Sequence, residues 1–325
     1  MEQLFFVEFY EINAQLCCMK LWANKWFVLA LLSLTWGSSF ILIKLSINEF
    51  SPFQVGALRL TIAGLALVGF GIRNFKYIPK KTLPWVIIGG SCGNFFPMFL
   101  FPLAQKQVSS SMAGILDSLV PIFVLIFGFL FFGIKSRANQ VLGALIGFVG
   151  AFVLMMNGGE ASGDLFHSSM IILATIFYAL SGLIISKHLK GIPSFKLSSV
   201  VFTIWLGPAL LILGLTGFFD EFKATPEQLK GLGYISILAL VGTALAMILY
   251  YRLIQQTSAI FASTVTYLMP IVAIIWGILD GETFTWIHAL GGMLILLGVY
   301  LIQLPKRIKT PKQDISTPMK KPEAI

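Results

Sequence analysis

The stretch Leu116–Gly128, LDSLVPIFVLIFG, lies in register over Val265–Gly277, VTYLMPIVAIIWG. Leu119 matches Leu268, Pro121 matches Pro270, Ile122 matches Ile271 and Gly128 matches Gly277. Outward at the same offset, Gly93 meets Gly242, Gln107 meets Gln256, Ser109 meets Ser258 and Ala113 meets Ala262. With one residue slipped in a loop, Gly143 and Gly150 meet Gly291 and Gly298. Two apolar helices can share a proline by chance, but a register held across three consecutive helices is an internal duplication.

The duplicated unit belongs in a membrane. The chain has 325 residues, 57% apolar and 11% charged, with a mean hydropathy of +0.87, where a soluble domain carries about 25% charged residues. That deficit excludes an ordinary soluble enzyme, a disordered chain and a nucleic-acid-binding protein. Crossing a hydrocarbon core of ~30 Å takes about 20 apolar residues. Segments of that kind fall near 26–48, 53–72, 83–105, 109–132, 138–156, 167–187, 195–217, 231–251, 257–279 and 284–304. The repeat is therefore five spans long. Five is odd, so the two halves must sit upside down relative to each other, the inverted-repeat plan of secondary transporters. The predicted fold is an all-α integral membrane protein of ten transmembrane helices in two inverted five-helix repeats, 26–156 and 167–304. An N-terminal segment (1–25), an extracytoplasmic linker (157–166) and a basic tail (305–325) complete the chain.

Charge sets the orientation. With both termini cytoplasmic, 18 of the 23 Lys and Arg lie inside, three (Lys106, Lys223, Lys230) lie outside, and Lys44 and Arg59 lie within spans. Excess Lys and Arg marks cytoplasmic loops. Glu49, Glu160, Asp164, Asp220, Glu221, Glu227, Asp280 and Glu282 all fall outside. The net charge of +9 is thus a membrane-proximal set rather than a polyanion site. The first 18 residues hold Glu2, Glu8 and Glu11 but no Lys or Arg, unlike a signal peptide. Met19-Lys20 is the expected start. Cys17, Cys18 and Cys92 have no metal-ligand spacing and make no disulfide framework, so no metal is expected.

The residues resemble a known family. Trp36–Lys44 (WGSSFILIK), Ala57-Leu58-Arg59, Ser258–Pro270 (SAIFASTVTYLMP), Gly281-Glu282 and the spaced glycines from Gly242 to Gly298 resemble the drug/metabolite transporter superfamily and its EamA domain. The resemblance covers roughly 26–304 and both halves carry it. It implies two inverted EamA repeats around a central cavity, both termini inside, and transport, usually export, of small metabolites, amino acids or drugs. The first half departs from the pattern, with Gly133-Ile134 where the second has Gly281-Glu282. Glu282 is accordingly expected to end a helix at the outer surface with no symmetric role.

Charges inside spans are costly, roughly 2.5–3.5 kcal/mol each at the centre, and mark function. Two readings stand for Lys44, a cavity residue or a side chain snorkelling towards Glu49. Arg59 and Asp117 either pair as a lock between helices or line the cavity, where Arg59 would bind an anionic group and Asp117 would carry a proton. Their repeat counterparts are Val201 and Thr266, so the charge belongs to one half, while Lys44 has a counterpart in Lys187 at the cytoplasmic end. Among span aromatics, Trp36, Tyr178 (close to Trp36's register) and Tyr267 (one turn before Pro270) are candidate cavity residues. Pro97, Pro121 and Pro270 are candidate hinges. The third span is broken by Pro84, Pro97 and Pro102; the matching eighth has no proline, so the bend is not expected to be a requirement of both repeats.

The expected function is a secondary transporter, exporting a small metabolite, amino acid or drug-like solute across the cytoplasmic membrane by alternating access, with a channel-like or facilitated uniport pore as the alternative. An intramembrane enzyme would need a catalytic set in the bilayer, yet His167, His188 and His288 lie near span ends and Asp117 is the one buried acid. A channel would want polar rings. No Walker A loop is present, so no nucleotide cofactor is expected. The expected partners are a small-molecule solute, the bilayer and protons.

Overall fold

The computed structural model describes residues 24–134, 137–157 and 165–304. The expected start at Met19, the basic tail and residues 158–164 of the linker lie outside the described residues. Ten helical spans follow in order. They are α1 (Lys25–Ser46), α2 (Pro52–Asn74), α3 (Lys80–Ala104), α4 (Ser110–Phe132), α5 (Ala138–Asn157), α6 (Leu165–His188), α7 (Ser194–Leu215), α8 (Pro226–Gln256), α9 (Ala259–Leu279) and α10 (Trp286–Gln303). Among the described residues eight are long and apolar enough to cross a membrane, and α5 and α10 are shorter apolar helices.

The ends are written in local chemistry. Ser51 and Gln54 form a capping box ahead of Pro52, which opens α2 without wasting an N–H. Ser109 and Ser258, repeat counterparts, accept from Met112 N (3.2 Å) and Phe261 N (3.1 Å) at the starts of α4 and α9. Thr225 caps α8 in the same way, with Pro226 in its first turn, so α8 begins earlier than its apolar run suggests.

The broken span is not peculiar to one half. α3 widens into a π-turn at Ser91–Phe95, and α8 does the same at Leu240–Leu245. The expectation that the break is not a requirement of both repeats is therefore corrected. Donors from the opposite half supply the physical cause. Trp36 Nε1 of α1 donates to the Gly242 carbonyl (2.9 Å), and Ser181 Oγ of α6 donates to the Gly89 carbonyl (2.8 Å). Side chains inserted into the helical ladder hold it open. The approach needs glycine: a Cβ at Gly93 would strike Ser181, and one at Gly242 would lie 3.0 Å from Ser39 Oγ. Ser39 and Ser181 are themselves counterparts.

Packing follows the same two-fold relation. The broadest contacts are α2 on α7 and α5 on α10. Gly143 packs on Gly298 and Gly150 on Gly291, where a Cβ would collide with the facing backbone. Gly143 corresponds to Gly291 and Gly150 to Gly298. The two-fold relation thus carries the contact Gly143–Gly298 onto Gly291–Gly150, as a self-complementary contact requires. On α2, Gly64 packs against Leu206, its own counterpart.

α4 and α9 break midway as well. α4 is helical over Ser110–Asp117 and again over Val120–Phe132, and α9 passes through a 3-10 stretch at Ser263–Tyr267 before resuming at Met269. Ser118 Oγ donates to the Thr266 carbonyl (2.9 Å), joining one break to the other.

Candidate functional site, a cavity on the repeat axis

Irregular backbone at membrane depth is tolerated where protein buries it or where it lines a cavity. Here the two π-turns and the two breaks converge on one, of about 60 Å³. Of its seventeen lining residues, fourteen form seven repeat-related pairs. Polar and small residues supply Ser39 with Ser181, Gly93 with Gly242 and Asp117 with Thr266. Apolar and aromatic ones supply Trp36 with Tyr178, Phe101 with Tyr250, Met98 with Met247 and Val120 with Met269. Their contacts repeat too. Trp36 packs edge-on against Tyr250 (4.9 Å between centroids), and Tyr178 stacks on Phe101 (5.9 Å). The cavity sits on the axis that relates the halves.

Two charges break that symmetry. Arg59 reaches the cavity from α2 and is 6% exposed. Its Nε–H donates to Thr243 Oγ1, in the π-turn of α8, at 2.6 Å, and that hydroxyl donates onward to the Leu238 carbonyl (2.9 Å) just before the turn. Asp117 ends the first piece of α4 and is 2% exposed. Its Oδ1 has no hydrogen-bond partner among the described residues. The two do not pair. The ion pairs among the described residues are both made by Lys44, so a lock between Arg59 and Asp117 is absent.

Trp36, Arg59, Asp117 and Tyr178 are brought together by the fold; Lys44 and Tyr267 are not. Lys44 neither lines the cavity nor reaches Glu49. Its Nζ contacts Asp280 Oδ2 at 2.7 Å and Glu282 Oε1 at 2.9 Å. The Tyr267 hydroxyl donates to the Val299 carbonyl of α10 (2.7 Å), away from the cavity. Glu282 is likewise more than a helix end. It accepts from Ser110 N (2.7 Å), Ser111 N (3.0 Å) and Ser111 Oγ (2.7 Å) at the start of α4. Burial opposes its ionisation, but the bonds from Ser111, Lys44 and Ser110 outweigh that and hold its carboxyl below the usual range. Pro97 opens the helix after the π-turn of α3, and Pro121 and Pro270 open the second pieces of α4 and α9, where no helical N–H is lost.

Sequence reasoning missed Phe101, Met98 and Met247, the serines and the Arg59–Thr243 bond. The signal existed for the pairs, since the register that aligns Pro121 with Pro270 also aligns Phe101 with Tyr250. Among the described residues no group of three or more His, Cys, Asp or Glu is placed to hold a metal ion.

Known proteins agree with this architecture. The chain matches the EamA-like transporter family over residues 24–156 and again over 165–304. It belongs to that family. The uncharacterized inner membrane transporter YedA of Escherichia coli is 28% identical over 88% of this chain and 92% of its own. An uncharacterized transporter of Archaeoglobus fulgidus is also 28% identical, over 86% and 98%. A probable terminal-alkyne amino-acid exporter of Streptantibioticus cattleyicolor is 23% identical, over 92% and 99%. One solved crystal structure shares the fold, with a TM-score of 0.55 and 19% identity over 85% of this chain and 96% of that one. This EamA-family chain is a multi-pass membrane transporter of two inverted five-helix repeats.

Proposed function

We propose that this transporter exports a small metabolite, amino acid or drug-like solute across the cytoplasmic membrane by alternating access around the central cavity. The pairing of the cavity walls carries the reading. Walls built equally from inverted halves let the halves exchange conformations and present the same surface to the opposite end of the bundle. Outward transport is favoured by the name of the Streptantibioticus relative, an exporter.

At about 60 Å³ the cavity holds a few waters, at ~10–15 Å³ of such space each. Solute sites span about 300–1,000 Å³, so the cavity must widen to load. The π-turns and the breaks carrying Pro97, Pro121 and Pro270 are the natural places to bend. Arg59 is the fixed cation for an anionic group, and Asp117 is the carboxylate able to take up an inbound proton in exchange. Both termini are placed in the cytoplasm, following the sorting of Lys and Arg.

In proteoliposomes, Arg59→Gln should abolish transport while the protein remains folded and inserted; loss of the folded protein instead would make Arg59 structural. Asp117→Asn should lose its response to an imposed pH gradient yet still equilibrate solute. Unchanged pH-driven accumulation would remove Asp117 from coupling. A reporter after Leu304 should read cytoplasm and one between Glu160 and Asp164 the outside; both on one side would contradict the inverted plan.

A further inference from the structure

The α2–α7 pair ends in opposite charge at its two ends. We propose that the basic end binds one anionic phospholipid, its headgroup between Lys76 and Lys196 and its chains along the apolar surface of α2 and α7. The proposed orientation puts this end at the cytoplasmic leaflet, but the site itself does not depend on that orientation.

Residues 73–81, which finish α2 and lead into α3, hold Arg73, Lys76, Lys80 and Lys81 and no acid. Residues 187–196, which join α6 to α7, hold Lys187, Lys190 and Lys196 and again no acid. The fold lays the two segments side by side. Asn74 Nδ2 donates to Ser199 Oγ (3.0 Å), Phe70 meets Phe195 edge-on (5.3 Å between centroids) and His188 stacks on Trp85 (3.9 Å). Tyr77 is the meeting point. Lys196 Nζ lies 3.4 Å from its ring centroid and Lys76 Nζ 5.2 Å. A ring face attracts a cation, but two ammonium groups on one ring repel each other. Both ion pairs among the described residues belong to Lys44, so no carboxylate among them pairs with either lysine.

The repeat supplies the comparison. Residues 215–223 and 45–54, the counterparts at the other end, carry Asp220, Glu221 and Glu49 against the single Lys223. Gln54 stands where Lys196 stands, and Phe219 where Tyr77 stands. Gln54 Nε2 donates to Glu221 Oε2 (3.0 Å) and to the Thr216 carbonyl (3.2 Å). That end settles its polar groups within the chain, whereas the basic end gathers like charges. The chemistry that answers them is a lipid's. Tyr and Trp are the ring types that sit at headgroup level, here Tyr77 and Trp85, and lysines reach that level on apolar stems. About two turns back along α2, Phe70 is exposed beside the exposed Phe195, in the direction acyl chains run. A free anion or an acidic protein would leave that ring surface unused. Basic pockets between spans hold anionic headgroups in this way.

Native mass spectrometry of the delipidated full-length protein tests this, with phosphatidylglycerol and phosphatidylcholine of identical chains as the probes. The first phosphatidylglycerol should bind about fivefold tighter or more than the first phosphatidylcholine, the scale of one lysine near an anionic surface. Lys76→Gln with Lys196→Gln should remove that preference, and Lys76→Arg with Lys196→Arg should keep it. Lys25→Gln with Arg137→Gln, which takes two charges from the same end of the bundle, should leave it unchanged. An equal loss in that pair would assign the preference to diffuse attraction and overturn the proposal, as would the absence of any preference in the native protein. Glycerol 3-phosphate, an anion without chains, should not compete at the lipid's concentration; competition would make this a free-anion site and overturn the lipid. Each outcome is independent of the reporters that test orientation and of the transport assays that test the cavity.

Discussion

The turns that end α4 and α9 solve one problem in two ways. Each turns through a left-handed glycine, Gly133 (φ 70°) and Gly281 (φ 82°), and each closes with a 2.9 Å bond from the next residue's N–H to Gly128 O or Gly277 O. The next residue is Ile134 in one and Glu282 in the other. Ile134 packs on Gly128, whereas Glu282 covers Gly277 and bonds across to the start of α4 and to Lys44. The lysines correspond as well. Lys44 meets Asp280, and Lys187, its counterpart, lies 5.1 Å over the ring of Phe132, which stands where Asp280 stands. Duplication has conserved the backbone and the lysine while the partner changed from carboxylate to ring. One end of the bundle is clasped by charge and the other by apolar and cation–π contact, so the two-fold axis governs packing but not electrostatics.

Breaking the charged clasp should have the largest effect. Glu282→Ala leaves Lys44 with Asp280 alone and strands the N–H groups of Ser110 and Ser111, and should cost about 2–4 kcal/mol in unfolding titrations in detergent. Ile134→Ala, its apolar equivalent, should cost about 1 kcal/mol, since Ile134 is half-buried. Equal losses would remove the distinction between the ends. Next come the lysines. Lys44→Met should cost about 1 kcal/mol, its side chain being 32% exposed, and Lys187→Met about 0.5 kcal/mol.

Acid should erase the difference. Glu282 has a lowered folded pKa, so its contribution is complete above its ordinary value of 4.5 and is lost as pH falls through the folded value. The stability gap between the native protein and Glu282→Gln should therefore be constant from pH 7 to 5 and shrink below about 4.5. A gap that persists at pH 3 would assign Glu282's role to packing. The smallest effect is a transplant: Ile134→Glu should gain up to about 0.5 kcal/mol from Lys187 and the start of α9.

Much of this was legible in the sequence. Apolar runs, caps and the matched prolines specify ten helices and their inverted plan, because span length and helix termini depend on local chemistry. The charge of Arg59 and Asp117 in an apolar context identified them, and Trp36 and Tyr178 followed from register. The π-turn of α8 was not legible, because its cause, Trp36 Nε1 on Gly242 O, lies 206 residues away in sequence. Lys44 was misplaced for the same reason. Its near neighbour Glu49 suggested a local partner, and the chain instead brings Asp280 and Glu282 to it. Tyr267 has the right register beside Pro270, but the 3-10 geometry of Ser263–Tyr267 rotates it towards α10.

The account's central claim is that the repeat-paired cavity is the solute path, opened in turn to each side. Cysteines placed singly at Ser39 and Ser181, counterparts on opposite walls, test it in a background lacking Cys17, Cys18 and Cys92. An impermeant thiol reagent should reach each cysteine from both faces of a sealed membrane, and solute should protect both. Labelling of each cysteine from one face only, unaffected by solute, would contradict the claim.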